Sequence, residues 1–330
     1  TSRQRRASPC TSRRNSIKKL SVVSPVFGSM PLEAALKYLA ERGVDGMELG
    51  AGGYPGKAHA DILELGKSSA KRVELKALFD KYNIEIAALS VHGNGVHPQK
   101  TVAKIASDEL DAAMETAAEL GVDKIITFSG CPGDGKGDMP NWVTCAWPNE
   151  YRDVLEYQWN DVLVPYWTKK AERAKSFGVK ICFEMHPGFC VYNPETLLRL
   201  RDAAGDSLGA NFDPSHLIWQ GIDPVAAIKR LGDSLFWFHA KDTAIDGQNA
   251  AVNGVLDTKS LALEKERSWI FRTVGYGSDE KLWKDMMSAL RVIGYDGYIS
   301  IEHEDCLMPP LEGLDKAHDC KQKIKKREPR

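Results

Sequence analysis

The sequence predicts one closed (β/α)8 TIM barrel, and three observations predict it. Short runs rich in β-branched and aromatic residues alternate with longer amphipathic stretches. Several amphipathic stretches end in Gly directly before the next run. Eight such runs occur, and no GxGxxG follows the first, which disfavours an open doubly wound sheet. Repeated strand–helix alternation builds parallel βαβ units, and eight of them point to a closed barrel. The chain's 330 residues suit a single α/β barrel domain.

In order, strand one is read over Leu20–Phe27, then a helix over Pro31–Arg42, stopped at Gly43, and strand two over Gly46–Leu49. A helix over Ser69–Tyr82 leads to strand three, Ile84–His92. A helix over Ser107–Leu120, stopped at Gly121, leads to strand four, Lys124–Ser129. Past a long connection, 130–157, the helix Gln158–Phe177 and Gly178 precede strand five, Val179–Met185. Pro194–Ala204 precedes strand six, Gly209–Asp213, and strand seven follows as Leu235–Lys241. A second long connection, 242–278, separates it from the helix Asp279–Ile293, Gly294 and strand eight, Tyr298–His303. Most of these strands are near-continuous apolar runs, as expected when helices cover one face and the barrel core the other. Glycine adopts the left-handed conformation that ends a helix without strain. Both long connections follow strands, which places them on the C-terminal face where barrel enzymes carry their sites.

The barrel is expected to span 20–323. Residues 1–19 contain Arg3, Arg5, Arg6, Arg13, Arg14, Lys18 and Lys19 and no acid. That composition suits a transit peptide or a nucleic-acid arm, but a disordered tail is the plainer expectation. Residues 324–330 read as a C-terminal tail after a frayed helix end. A net charge of −1 argues against a nucleic-acid or membrane-surface partner for the body of the protein. No apolar run approaches the roughly 18 residues that span a bilayer. The seven scattered cysteines, odd in number and without CxxC, read as reduced thiols of a cytoplasmic protein.

Four ionisable residues close apolar strands at equivalent positions: Glu184, Asp213, His239 and Glu302. Burying one such group costs several kcal/mol unless it is paired or holds a metal. Three carboxylates brought together repel, and one divalent cation removes the repulsion. The oxygen-rich set suits Mn²⁺ first, with Mg²⁺ or Co²⁺ as alternatives and Zn²⁺ tolerated, whereas the lack of thiolates argues against a structural zinc site. Salt bridges to Lys241 or other residues at the barrel mouth are the alternative.

The segments Phe183-Glu184-Met185-His186-Pro187-Gly188, Asn211-Phe212-Asp213-Pro214-Ser215-His216, Phe238-His239-Ala240-Lys241-Asp242 and Ile301-Glu302-His303-Glu304-Asp305 resemble the xylose-isomerase-like barrels, and within them the sugar phosphate isomerase/epimerase group. The resemblance runs from about Leu20 to about Lys323. It implies one metal held by Glu184, Asp213, His239 and Glu302, with the two glutamates also serving as an acid/base pair and His216 touching substrate. The chemistry agrees, because a metal chelating adjacent carbonyl and hydroxyl oxygens acidifies the C–H between them and stabilises an enediolate. Removing and returning that proton takes two basic groups, one on each face of the carbon, and strands five and eight are far enough apart for Glu184 and Glu302 to flank a substrate. Two positions depart from the ketose epimerases: Cys190 and Ile245 stand where those enzymes carry a substrate-holding acid and Arg. The three-metal apurinic-site endonucleases share the barrel, but Asp242–Gly254 lacks their Asp-x-His.

Further candidates for substrate contact are His92, His186, Lys241 and Trp142, each with a plainer reading as a hydrogen-bonded, ion-paired or packed side chain. Trp147 and Trp219 read as loop packing, Cys182 and Cys190 as core fillers, and Glu304 and Asp305 as solvent-facing or helix-capping acids. The expected function is a metal-dependent isomerase or epimerase of a sugar, keto-sugar or cyclitol. A dehydratase or 3-keto-glycoside lyase using the same proton abstraction is the second expectation, and a non-catalytic sugar-binding subunit the third. The expected partner is a small sugar, with no nucleic acid or membrane; a homo-oligomer is compatible with the sequence.

Overall fold

The computed structural model describes residues 19–326, so the expected basic tail lies outside the described residues apart from Lys19. The barrel is laid down by β1 (Leu20–Val23), β2 (Gly46–Gly50), β3 (Glu85–Ser90), β4 (Lys124–Thr127), β5 (Lys180–Glu184), β6 (Leu208–Phe212) and β7 (Leu235–Ala240). The chain then forms an antiparallel pair outside the barrel, β8 (Asp242–Ile245) and β9 (Trp269–Arg272), and returns as β10 (Ile299–Ile301). All eight barrel strands pair in parallel, and β10 closes the ring between β7 and β1.

The four glycines that punctuate the sequence do stop their helices in the left-handed region, with φ of 63° at Gly43, 72° at Gly121, 71° at Gly178 and 80° at Gly294. Strand one is shorter than its apolar run. Ser24–Phe27 turns as a 3-10 helix because Pro25 has no N–H to donate to a neighbouring strand. The helix expected over Ser107–Leu120 begins earlier, at Lys100. The 130–157 connection is shorter than its sequence suggests, because Asn149–Tyr157 is helical. That helix runs through a π-type turn, Gln158–Leu163, into Val164–Phe177, and the turn lies just before Pro165, which lacks an N–H. The last helix, Pro310–Lys326, continues into the segment expected to be tail.

The main core lies between barrel and helices, where Leu36, Leu39, Ile125, Trp167, Ile181 and Phe212 are buried. Short helices after β6 are started by Asp caps: Asp213 accepts from Ser215 N and Asp223 from Val225 N and Ala226 N. The 242–278 connection is pinned by Asp242, whose Oδ2 accepts from the backbone of Gly275, Gly277 and Ser278 and from the Trp283 indole. Among the described residues no helix is long and apolar enough to cross a membrane, and Cys131, Cys145, Cys182, Cys190 and Cys306 are free thiols.

Candidate metal centre

The ends of β5, β6, β7 and β10 bring Glu184, Asp213, His239 and Glu302 together, with one ligand atom from each lying within 4.8 Å of the others. Glu184 is held from two sides: His92 Nε2 lies 2.9 Å from its Oε2, and His216 Nε2 lies 2.9 Å from its Oε1. Burial alone would raise the Glu184 pKa, but these two imidazoles hold it well below the usual carboxylate range. Burial, with His186 and Lys241 nearby, pushes His216 down to about 3, so it serves Glu184 as a neutral N–H donor. Glu302 is the most accessible of the four, its side chain 18% exposed. Burial works to raise its pKa, yet Lys241 and His239 outweigh both burial and Glu184 and bring it to about 2.

Asp213 differs. Its Oδ1 caps Ser215 N at 2.8 Å, while its fully buried Oδ2 accepts no hydrogen bond. His216 Nε2 and Lys241 Nζ each stand 3.3 Å from that oxygen. Burial raises the Asp213 pKa, Lys241 opposes, and Glu302 and Glu184 add to the rise, giving about 7. A buried carboxylate oxygen without a donor, crowded by two other carboxylates, fits a divalent cation. The three-oxygen, one-nitrogen donor set is right for Mn²⁺, Mg²⁺, Co²⁺ or Zn²⁺.

The substrate candidates divide. His92, His186 and Lys241 line a cavity of about 260 Å³ together with Glu184 and Glu302. His216 sits behind Glu184 and is not among the lining residues. Trp142 does not line the cavity either, because its ring packs edge-on against Tyr192 at 5.4 Å. Lys241 is buried and ion-paired, 2.7 Å from Glu304 Oε2 and 3.1 Å from Glu302 Oε2, so Glu304 faces the site rather than only solvent. Asp305 neither faces solvent nor caps a helix: it is buried, ion-paired with Arg272 at 3.1 Å, and accepts from Thr273 N and Leu307 N in the loops there. Trp219 stacks on Trp269 at 4.6 Å. Neither departure lines the cavity: Cys190 is buried in the core, and Ile245 is half exposed on β8. One cavity wall is aromatic, with Phe128 stacked on Phe189 at 4.2 Å and meeting His92 and His186 edge-on. A larger cavity, about 620 Å³, opens at the opposite end beside Asp45 and Glu85 and holds none of these residues.

One residue of the site escapes the sequence reading. Glu48, fully buried in β2, lies 2.9 Å from His239 Nε2. Its signal was present, since Glu48 interrupts the apolar run Gly46-Met47-Glu48-Leu49 as Glu184 interrupts its own.

The profile of the xylose isomerase-like TIM barrel matches residues 36–324. The chain belongs to the xylose isomerase-like TIM barrel family. Its relatives in this family include the uncharacterized protein YfiH of Bacillus subtilis, 41% identical over 300 residues that cover 90% of this chain and 96% of that one. Solved structures that share the fold include the following two. One is a probable 3-DHS dehydratase, AsbF, involved in petrobactin synthesis in Bacillus anthracis, with TM-score 0.65, 17% identity and coverage of 94% of this chain and 100% of that one. The other is the IOLI protein with a bound zinc atom, with TM-score 0.64, 19% identity and coverage of 93% and 98%.

In this member of the family the loop after β2 braces the site. Gly53 has φ 61°, and a Cβ there would run into the carbonyl oxygen of His92, which accepts from Tyr54 N at 2.8 Å. Gly53→Ala is therefore expected to lower stability by more than about 1 kcal/mol in urea unfolding, and an unchanged midpoint would contradict this close approach.

Proposed function

We propose that this protein is a metal-dependent isomerase or epimerase of a sugar, keto-sugar or cyclitol. The observation that carries the reading is one cavity bordered by two anionic carboxylates, Glu184 and Glu302, from strands with β6 and β7 between them. A divalent cation held by Glu184, Asp213, His239 and Glu302 would supply Lewis-acid polarisation of a carbonyl and its neighbouring hydroxyl. Glu302, the more exposed carboxylate, takes the proton from the carbon beside the carbonyl. Glu184, having taken up a solvent proton, returns it from the other face and is left anionic, and Glu302 releases its proton to solvent to reset the pair. The buried Lys241 ammonium faces the negative charge that develops on oxygen. His92 and His216 keep Glu184 oriented, and the Phe128 wall packs against the C–H face of the sugar. Mn²⁺ is the ion we place there first, with Zn²⁺ next. A small sugar is the one partner this chemistry requires, without nucleic acid or membrane, and a cytoplasmic location and a homo-oligomer are compatible with it.

A dehydratase is the second reading. It is favoured by the Lys241–Glu304 pair at 2.7 Å in the cavity wall, a proton source for a departing hydroxyl. Incubation of metal-loaded protein in D₂O with ketoses, inososes and keto-glycosides separates the two. Solvent deuterium in a product with an intact carbon–oxygen skeleton is the expected result, while loss of water or an aglycone assigns a lyase. No exchange with any substrate, and no difference between the parent and Glu302→Gln, would retire both.

A further inference from the structure

Glu48 lies on β2, whose neighbours in the ring are β1 and β3, yet its carboxylate reaches His239 on β7. Both oxygens face His239 Nε2, at 3.0 Å from Oε1 and 2.9 Å from Oε2. Three more donors converge on the same carboxylate: Ser90 Oγ of β3 at 2.5 Å, Ser300 Oγ of β10 at 2.8 Å and the Trp237 indole of β7 at 2.8 Å. An indole only donates and an ionised carboxylate only accepts, so four donors fill its acceptor capacity. A carboxylate at this depth is expensive, and an apolar side chain would serve packing alone at lower cost. The opposite edge of the imidazole faces the cluster, with Nδ1 3.1 Å from Glu302 Oε2 and 3.6 Å from Glu184 Oε2. Asn211 Nδ2 lies over the same ring, 3.1 Å from Nδ1 and 3.3 Å from Nε2, and so does not choose between the two nitrogens.

We propose that Glu48 is the positioning residue of the metal centre. It holds the His239 hydrogen on Nε2, so that the Nδ1 lone pair points at the ion shared with Glu184, Asp213 and Glu302. Ser90, Ser300 and Trp237 fix the carboxylate, and the carboxylate fixes the plane of the ring. An acceptor behind a metal-binding imidazole sets its tautomer and strengthens it as a donor to the ion. The inference rests on reading the cluster as a metal centre.

Glu48→Gln keeps the shape and removes the anion. Titration of the full-length protein with Zn²⁺ in a calorimeter is expected to show about 10–100-fold weaker binding than the parent, with an unchanged far-ultraviolet circular dichroism spectrum. Glu85→Gln, the same chemical change at the opposite end of the barrel, where Glu85 pairs with Lys19, is the control and is expected to bind Zn²⁺ like the parent. Should Glu48→Gln not fold, the tautomer decides: two-bond ¹H–¹⁵N spectra of the Zn²⁺-loaded parent are expected to show His239 protonated on Nε2 and coordinated through Nδ1. Parent-like Zn²⁺ affinity in folded Glu48→Gln, or coordination through Nε2, overturns this inference and leaves the proposed function standing. A parent that binds no Zn²⁺ overturns both.

Discussion

Glu302→Gln is expected to slow solvent-deuterium exchange by about 10²–10⁴-fold, the range of a lost general base, without unfolding the protein. The amide keeps an oxygen to offer an ion but cannot take up a proton from carbon. Its removal as an anion does not strand Lys241, whose ammonium retains Glu304 at 2.7 Å and Asp213 at 3.3 Å. The fold is therefore not at stake, and the comparison reads the proton transfer. Parallel measurement of bound metal guards the interpretation, because Glu302 also belongs to the cluster. A variant that retains metal and exchanges at the parent rate removes Glu302 from the acid/base pair.

The second large effect is expected from Asp213→Asn, and its sign changes with the ion. With metal present, the variant loses a charged ligand and is expected to bind at least about 100-fold more weakly, beyond what loss of an outer contact produces. At a free ion concentration a hundredfold above its Kd, the parent gains about 2.7 kcal/mol, most of which the variant lacks. With a chelator present, the order reverses above pH 7. Burial, with Glu302 and Glu184, raises the folded pKa of Asp213 to about 7, against Lys241. The stability that its protonated form contributes is therefore present at low pH and lost as pH rises through about 7. The amide carries no charge and escapes that loss, while Asn can still cap Ser215. Thermal unfolding at pH 8 is expected to rank the variant above the parent in chelator and below it in metal. A purely structural ion pair between Asp213 and Lys241 predicts the same loss in both.

Much of this was legible in the sequence. The barrel showed because parallel strands covered on both faces must be continuously apolar, and because Gly43, Gly121, Gly178 and Gly294 sit where helices have to stop. Glu184, Asp213, His239 and Glu302 showed because an ionisable group at the end of such a strand needs a partner. The β8–β9 pair did not show: its register joins Asp242 to Arg272 across a long polar connection, and nothing local announces it. Glu48 carried the same signal as Glu184, but its meaning is a contact across the barrel, 191 residues away in sequence. Trp142 shows the converse limit. A tryptophan in a long loop after a barrel strand looks alike whether it faces a sugar or, as here, Tyr192.

The central claim is that four side chains form one metal centre, and direct location of an ion tests it most simply. Protein dialysed against Mn²⁺ and then against metal-free buffer can be crystallised and its anomalous scattering measured at the manganese edge. The predicted result is one ion per chain bonded to Glu184, Asp213, His239 through Nδ1, and Glu302, and absent from Asp213→Asn. Stoichiometric ion elsewhere, or a cluster that stays without one at saturating Mn²⁺ and Zn²⁺ while Lys241 bridges Asp213 and Glu302, would contradict it.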